Sequence, residues 1–407
     1  MIKNIIYTFV VLNTILASNF VLSNKSENAS KFSFNIGDYS IESVEGFNRI
    51  VSNSEGKTEE YGSPELPTFS FNYGIDKNKE YIVEYTVIDY VTYQNIDMYP
   101  SQPYKGDSIL LIKNDNLYNS KNTYPESNIN YQRQSLRGYE LLAVSIVPFQ
   151  YNFESKELTV FTSVDLSINE IGQNTTYRND SFPRSESFER MYRDMIINDD
   201  ILLNDNRSFQ KPSILYICGG DVATSDYNSF FKPLVEWRRQ QGFEVNVASL
   251  NQTGTSTTSI KNYISDAYYE WENPPEYVCI VGDTSGSIDV NTYIVEGGSG
   301  GWWGASAQGE GDHPYTMLDG NDILSDIMIG RISVRNTSEL NTIVNKILVY
   351  EKATYISQIG DEWYQAAALV GDPYDSGIST VITNEYINSI IDIHGGITDV
   401  RTKYSGS

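Results

Sequence analysis

The stretch Ile214–Val247, ILYICGGDVATSDYNSFFKPLVEWRRQQGFEVNV, changes period twice in 34 residues. Ile214–Cys218 is an unbroken apolar run of strand length, stopped by Gly219-Gly220. Tyr227, Phe230, Phe231, Leu234 and Trp237 then recur at i, i+3, i+4, i+7 and i+10, one face of a helix that ends before Gly242. Phe243, Val245 and Val247 alternate as a second strand. This is a β-α-β unit, and it predicts a parallel sheet with both faces covered.

The same alternation continues toward the C-terminus. Ile260, Tyr263, Ile264, Ala267, Tyr268 and Trp271 mark a helix, and Tyr277–Val281 a strand. Asp326–Val334, Leu340–Tyr350, Ala366–Val370, Val381–Ile391 and 397–401 follow as strand, helix, strand, helix and strand. Toward the N-terminus the period falls to two. Leu158, Val160, Val164, Leu166 and Ile168 alternate with polar residues, and Glu80–Val91 repeats the pattern, so residues 24–171 read as an all-β sandwich. Between them, 172–211 is rich in Asn, Ser and Asp and carries Arg178, Arg184, Arg190, Arg193 and Arg207; it reads as a linker open to proteolysis. Residues 1–23 hold Lys3, an apolar run to Ala17 and small residues at Ala17, Ser18 and Ser23, the pattern of a secretory signal; a membrane anchor is the competing reading, interrupted by Asn13 and Asn19. A secreted or surface location follows, with no membrane span once the signal is gone.

Composition narrows the partners. Asp plus Glu at 53 against Lys plus Arg at 29 leaves a net charge of -24, which disfavours nucleic acid and anionic lipid. Two histidines exclude chemistry built on several imidazoles. Cys218 and Cys279 each lie near the end of an apolar strand, the place of a buried inert thiol.

Ligands of parallel sheets bind beyond the carboxyl ends of the strands. Two strands here end in Val-Gly-Asp, placing Asp283 and Asp372 at that edge; a loop-capping carboxylate is the plain alternative for each. The segment from Asp283 to Gly311 is long, glycine-rich and carries Trp302-Trp303. After it, GDHPYTMLDGNDILSDIMIGRISV (311–334) packs Asp319, Asp322 and Asp326 into eight positions. Either these form a solvated turn or a hard cation neutralises them. For calcium, carboxylates of Asp283, Asp322 and Asp326 with carbonyls of Asp319 and Leu324 would make an oxygen-only shell, provided the strands ending at Val281 and beginning at Ile327 are close.

GSPELP (62–67), RGYEL (137–141), VGD (281–283), DGND (319–322) and IGRISV (329–334) together resemble the gingipain-type cysteine peptidase precursors, family C25 of the caspase-like clan. The resemblance covers nearly the whole chain after the signal. It implies an inhibitory prodomain, a caspase-like (flavodoxin-like) α/β domain incomplete at its C-terminus, protein or peptide substrates cut after basic residues, and a structural calcium at the matching aspartates. It also implies that the catalytic His and Cys follow later strands, beyond Ser407, and that Asp372 stands where the family carries its third, acidic member. His394-Gly395 ends a helix and is read as a cap, so the chain resembles a precursor without its nucleophile. A catalytically inactive secreted binding protein on the same scaffold is the alternative, and a flavodoxin-like anion site at Gly219-Gly220 fails because Asp221 stands where a phosphate would sit.

Overall fold

The computed structural model describes residues 19–404 apart from 27, 55, 59, 103–110, 176–181, 224–228, 297–307, 355–361, 372–379 and 395–398. The chain forms two compact units. The first holds the chain to Gln102, Leu111–Phe182 and Phe188–Asn206; the second holds Pro183–Ser187 and the chain from Arg207.

In the first unit the strands are β1 Phe20–Lys25, β2 Ala29–Asn35, β3 Tyr39–Val44, β4 Phe47–Ser52, β5 Gly56–Lys57, β6 Pro67–Ile75 and β7 Lys79–Tyr93, a four-residue helix α1 Asp115–Tyr118, then β8 Thr123–Tyr124, β9 Ile129–Leu136, β10 Tyr139–Ile146, β11 Phe149–Asn152 and β12 Glu157–Gln173. They pair antiparallel as one sheet in the order β1-β2-β12-β11-β8 with β7 also on β12, a second sheet β5-β6-β10-β9, and the hairpin β3-β4. The period-two residues expected to face inward do so: Leu158, Val160, Val164, Leu166 and Ile168 are all buried. Both sheets contribute to one core, where Phe32 and Phe34 of β2 meet Phe71 and Phe69 of β6 at ring-centroid distances of 5.3 and 5.2 Å.

Two boundaries differ from the sequence reading. β1 begins inside the expected signal 1–23, and Phe20 is buried against Phe34 and Phe71. A cut after Ala17 or Ser18 leaves β1 whole, whereas one at Ser23 removes its only buried residue. Described parts of the expected linker 172–211 also lie in regular elements. β12 runs to Gln173, and helix α2, Glu186–Met195, buries Phe188 and Tyr192. Tyr192 stacks on Tyr139 at 4.9 Å and donates to the Glu140 carbonyl at 2.6 Å, while the Asn198 amide pairs both ways with the main chain of Gly74. The spacing of Phe188, Tyr192 and Ile196 (i, i+4, i+8) is a helical stripe hidden in polar composition.

The second unit continues with β13 Ser213–Cys218, α3 Lys232–Gln240, β14 Glu244–Ser249, α4 Leu250–Thr253, α5 Thr257–Glu270, β15 Tyr277–Val281, β16 Tyr293–Glu296, β17 Gln308–Gly311, β18 Met328–Ile332, α6 Thr337–Glu351, β19 Ala366–Gly371, α7 Thr380–His394 and β20 Asp399–Tyr404. The central sheet is parallel, in the order β14-β13-β15-β18. Tyr216, Cys218 and Val281 on one face share a core with Phe231, Leu234, Leu340 and Val344 from the α3 and α6 side. Leu215, Ile217, Val278 and Ile280, which alternate to the other face, are equally buried. The helix expected from Tyr227 starts at Lys232, because Pro233 in its first turn favours a start there; Tyr227 lies outside the described residues. β19 and β20 pair parallel with each other and, among the described residues, with no other strand.

Candidate functional site

At the carboxyl edge of the sheet, the turn after β13 and the loop after β15 are pressed together. A Cβ on Gly219 would lie 2.4 Å from the Asp289 carbonyl, and one on Gly220, whose φ is +57°, would lie 2.5 Å from that of Ser287. Only glycine permits that approach. Asp283 organises the loop through its main chain: its N–H donates to Ile288 and Val334 carbonyls at 3.2 and 2.9 Å, and its carbonyl accepts from Val290 at 2.8 Å. Its carboxylate accepts from the Thr284 N–H at 2.8 Å, the capping role that was the plain alternative.

The arginine of the IGR triplet is the hub of this edge. Arg331 forms a two-point pair with Asp312, Nε to Oδ2 at 2.8 Å and Nη2 to Oδ1 at 2.7 Å. Its Nη1 donates to the carbonyls of Gly282 and Val290 at 2.8 and 2.9 Å. One side chain therefore ties β18, the start and end of the Asp283 loop, and the segment before the acidic turn. Burial alone would raise the Asp312 carboxyl, but hydrogen bonds from Arg331 and Thr292 outweigh it and hold the group below its ordinary value. In the sequence IGR is a family mark; an arginine inside an otherwise apolar strand is the signal that a carboxylate must be near.

The five residues assigned to calcium do not converge. Asp283 follows the carboxyl end of β15, hydrogen-bonded beside Val334, whereas Asp326 precedes the amino end of β18, where Met328 bonds to Glu276. The strands are neighbours, as required, but parallel, so these ends are opposite and β18 alone separates them by about 13 Å. Asp319, Asp322, Leu324 and Asp326 remain together in the turn. Asp326 is fully buried and its Oδ2 accepts from the N–H groups of Leu318 and Asp319 at 2.8 and 2.7 Å; Asp322 accepts from Leu324 N–H at 2.8 Å. Among the described residues no group of three or more His, Cys, Asp or Glu is arranged to hold a metal ion. His313 lies on the same turn, its Nδ1 at 3.2 Å from Ser325 Oγ.

Neither cysteine is placed to act as a nucleophile. Both are free; burial pushes the Cys218 thiol well above its ordinary value and that of Cys279 up to about 12. Asp372 and Trp302-Trp303 lie outside the described residues.

The two units correspond to two family descriptions in series. A C25 propeptide model matches residues 18–198, and the model of peptidase family C25 matches 207–406. The chain belongs to peptidase family C25. Gingipain R1 of Porphyromonas gingivalis is 22% identical over 400 residues, 92% of this chain and 37% of the relative. Lys-gingipain of the same organism is 25% identical over 287 residues, 67% of this chain and 15% of the relative. The C25 chain thus spans well under half the length of these relatives. A solved complex of P. gingivalis RgpB pro- and mature domains aligns with 45% of the C25 chain and 97% of its own at 17% identity, with a TM-score of 0.40.

Proposed function

We propose that the chain is a secreted cysteine endopeptidase precursor, carrying its inhibitory prodomain and the amino-terminal part of its peptidase domain. The observation that carries this reading is the order of the two family matches, propeptide then peptidase, on two separately folded units. In this reading the antiparallel sheets of the first unit are a β-sandwich and the parallel sheet of the second is caspase-like. A signal ends at Ala17 or Ser18, and activation cuts the connector at Arg207, which stands in irregular chain between the two matched regions, whereas Arg190 and Arg193 lie within α2. Asp372 orients the catalytic histidine. Protein or peptide chains are the substrates, with basic residues before the cut. Structural calcium belongs to the proposal at the turn 319–326, with Asp283 excluded.

The test is hydrolysis of arginyl and lysyl peptide amides by the secreted protein expressed from its complete reading frame, before and after the connector is cut. Thiol-dependent hydrolysis that emerges only after the cut is the expected result, unchanged in Cys218→Ser and Cys279→Ser and reduced in Asp372→Asn. Absence of hydrolysis, with no His-Gly and Cys encoded downstream, would instead identify an inactive secreted protein on this scaffold.

A further inference from the structure

Five residues matched by the propeptide model, Pro183–Ser187, fold as part of the second unit. They lie along Ser208–Gln210: the Arg184 N–H donates to the Ser208 carbonyl at 2.9 Å, and the Gln210 N–H donates to the Arg184 carbonyl at 2.8 Å. The Arg184 guanidinium stacks 4.2 Å from the centre of the Phe209 ring. Ser185 Oγ donates to the carboxylate of Glu276, and Ser187 Oγ lies 2.9 Å from the Tyr277 hydroxyl. Glu276 is only 3% exposed, and its N–H is bonded to Ser213, so it closes the base of β13 and β15. A carboxylate buried this deeply requires a donor, and Ser185 supplies one.

We propose that Pro183–Ser187 is an anchoring strap, the occupant of a groove formed by Ser208–Gln210, Glu276 and Tyr277, and that it holds the propeptide region to the peptidase unit after the connector is cut. The inference rests on the precursor reading above. The bonds named above all run to Ser208 or beyond, so cutting the Arg207–Ser208 peptide bond breaks none of them. The groove lies at the amino ends of β13 and β15, whereas the candidate site lies beyond their carboxyl ends. The strap therefore retains without blocking, which separates attachment of the propeptide from inhibition by it.

The experiment uses the full chain with a specific-protease recognition sequence inserted between Asn206 and Arg207, so that the cut does not depend on the natural activation site. Cut protein is passed over a size-exclusion column at a series of dilutions. The two fragments are expected to co-elute in the parent chain. In Ser185→Ala/Ser187→Ala they should separate at concentrations at least tenfold higher, and excess peptide PRSES should release the parent fragments. Tyr277→Phe, which deletes a single hydroxyl, gives a smaller change in the same direction and serves if the double variant fails to fold. Immediate separation of the parent fragments, or co-elution unaltered by the variants and the peptide, overturns the strap. Failure of trypsin to cut the uninserted chain at Arg207 overturns the activation site alone.

Discussion

At the scale of single residues, the charges and thiols inside the second unit are fastened rather than reactive. Arg331 and Asp312 are each mostly buried, at 13% and 16% side-chain exposure, so removing one leaves the other without its counter-ion. Arg331→Gln should cost on the order of 3 kcal/mol in urea unfolding at neutral pH. The sign of its pH dependence follows from the lowered Asp312 carboxyl. Stability from a depressed carboxyl is present above its unfolded value, about 3.9, and is lost as pH falls through the folded value. The Arg331→Gln penalty should therefore shrink below about pH 4; a penalty constant down to pH 2 would show that the pair does not titrate as a unit. For the thiols, burial raises both, Cys279 up to about 12, so the folded chain holds far less thiolate at pH 8 than the unfolded chain. Iodoacetamide should modify the folded chain on the order of a thousand times more slowly than the urea-unfolded chain, measured by intact mass. Rapid modification of the folded chain would contradict the burial.

At the scale of elements, the acidic turn and α2 make separate predictions. Asp326 organises the turn by accepting two main-chain N–H groups from a buried position, so Asp326→Ala leaves both donors unsatisfied and should cost about 2–4 kcal/mol. Calcium at the turn would raise the melting temperature in millimolar calcium relative to EGTA, and Asp322→Ala should abolish that rise. An unchanged midpoint in the parent chain would return the turn to hydrogen bonding alone. In α2, Tyr192 stacks on Tyr139 and bonds to β10, so Tyr192→Ala should destabilise the first unit by about 3–5 kcal/mol. Limited trypsin digestion reads the same structure from outside: Arg207 should be cut before Arg190 or Arg193, because a protease needs extended chain and α2 must unfold first. First cuts between Lys31 and Asn169 would contradict both the unit boundary and the activation model.

At the scale of the whole molecule, periodicity carried most of the architecture. The switch from alternating residues in Leu158–Ile168 to strand-helix units from Ile214 onward located the antiparallel and parallel halves, because burial of one face imposes its period on the side chains wherever the element sits. The motifs GSPELP, VGD, DGND and IGRISV were enough to point to family C25, and apolar surroundings were enough to place both cysteines on strands of the parallel sheet. Three things were not legible. Phe188, Tyr192 and Ile196 disappear among polar neighbours, since a helix using one narrow stripe needs few apolar residues. The meaning of Arg331 depends on Asp312, 19 positions away and joined to it only by the fold. Direction was the third: the calcium set needed β15 and β18 to be neighbours, which they are, but Asp283 and Asp326 stand at opposite ends of these parallel strands. Local chemistry and period are properties of the chain itself, whereas which carboxylate meets which cation, and at which end of a sheet, is decided by strand order and direction, and those exist only once the chain has folded.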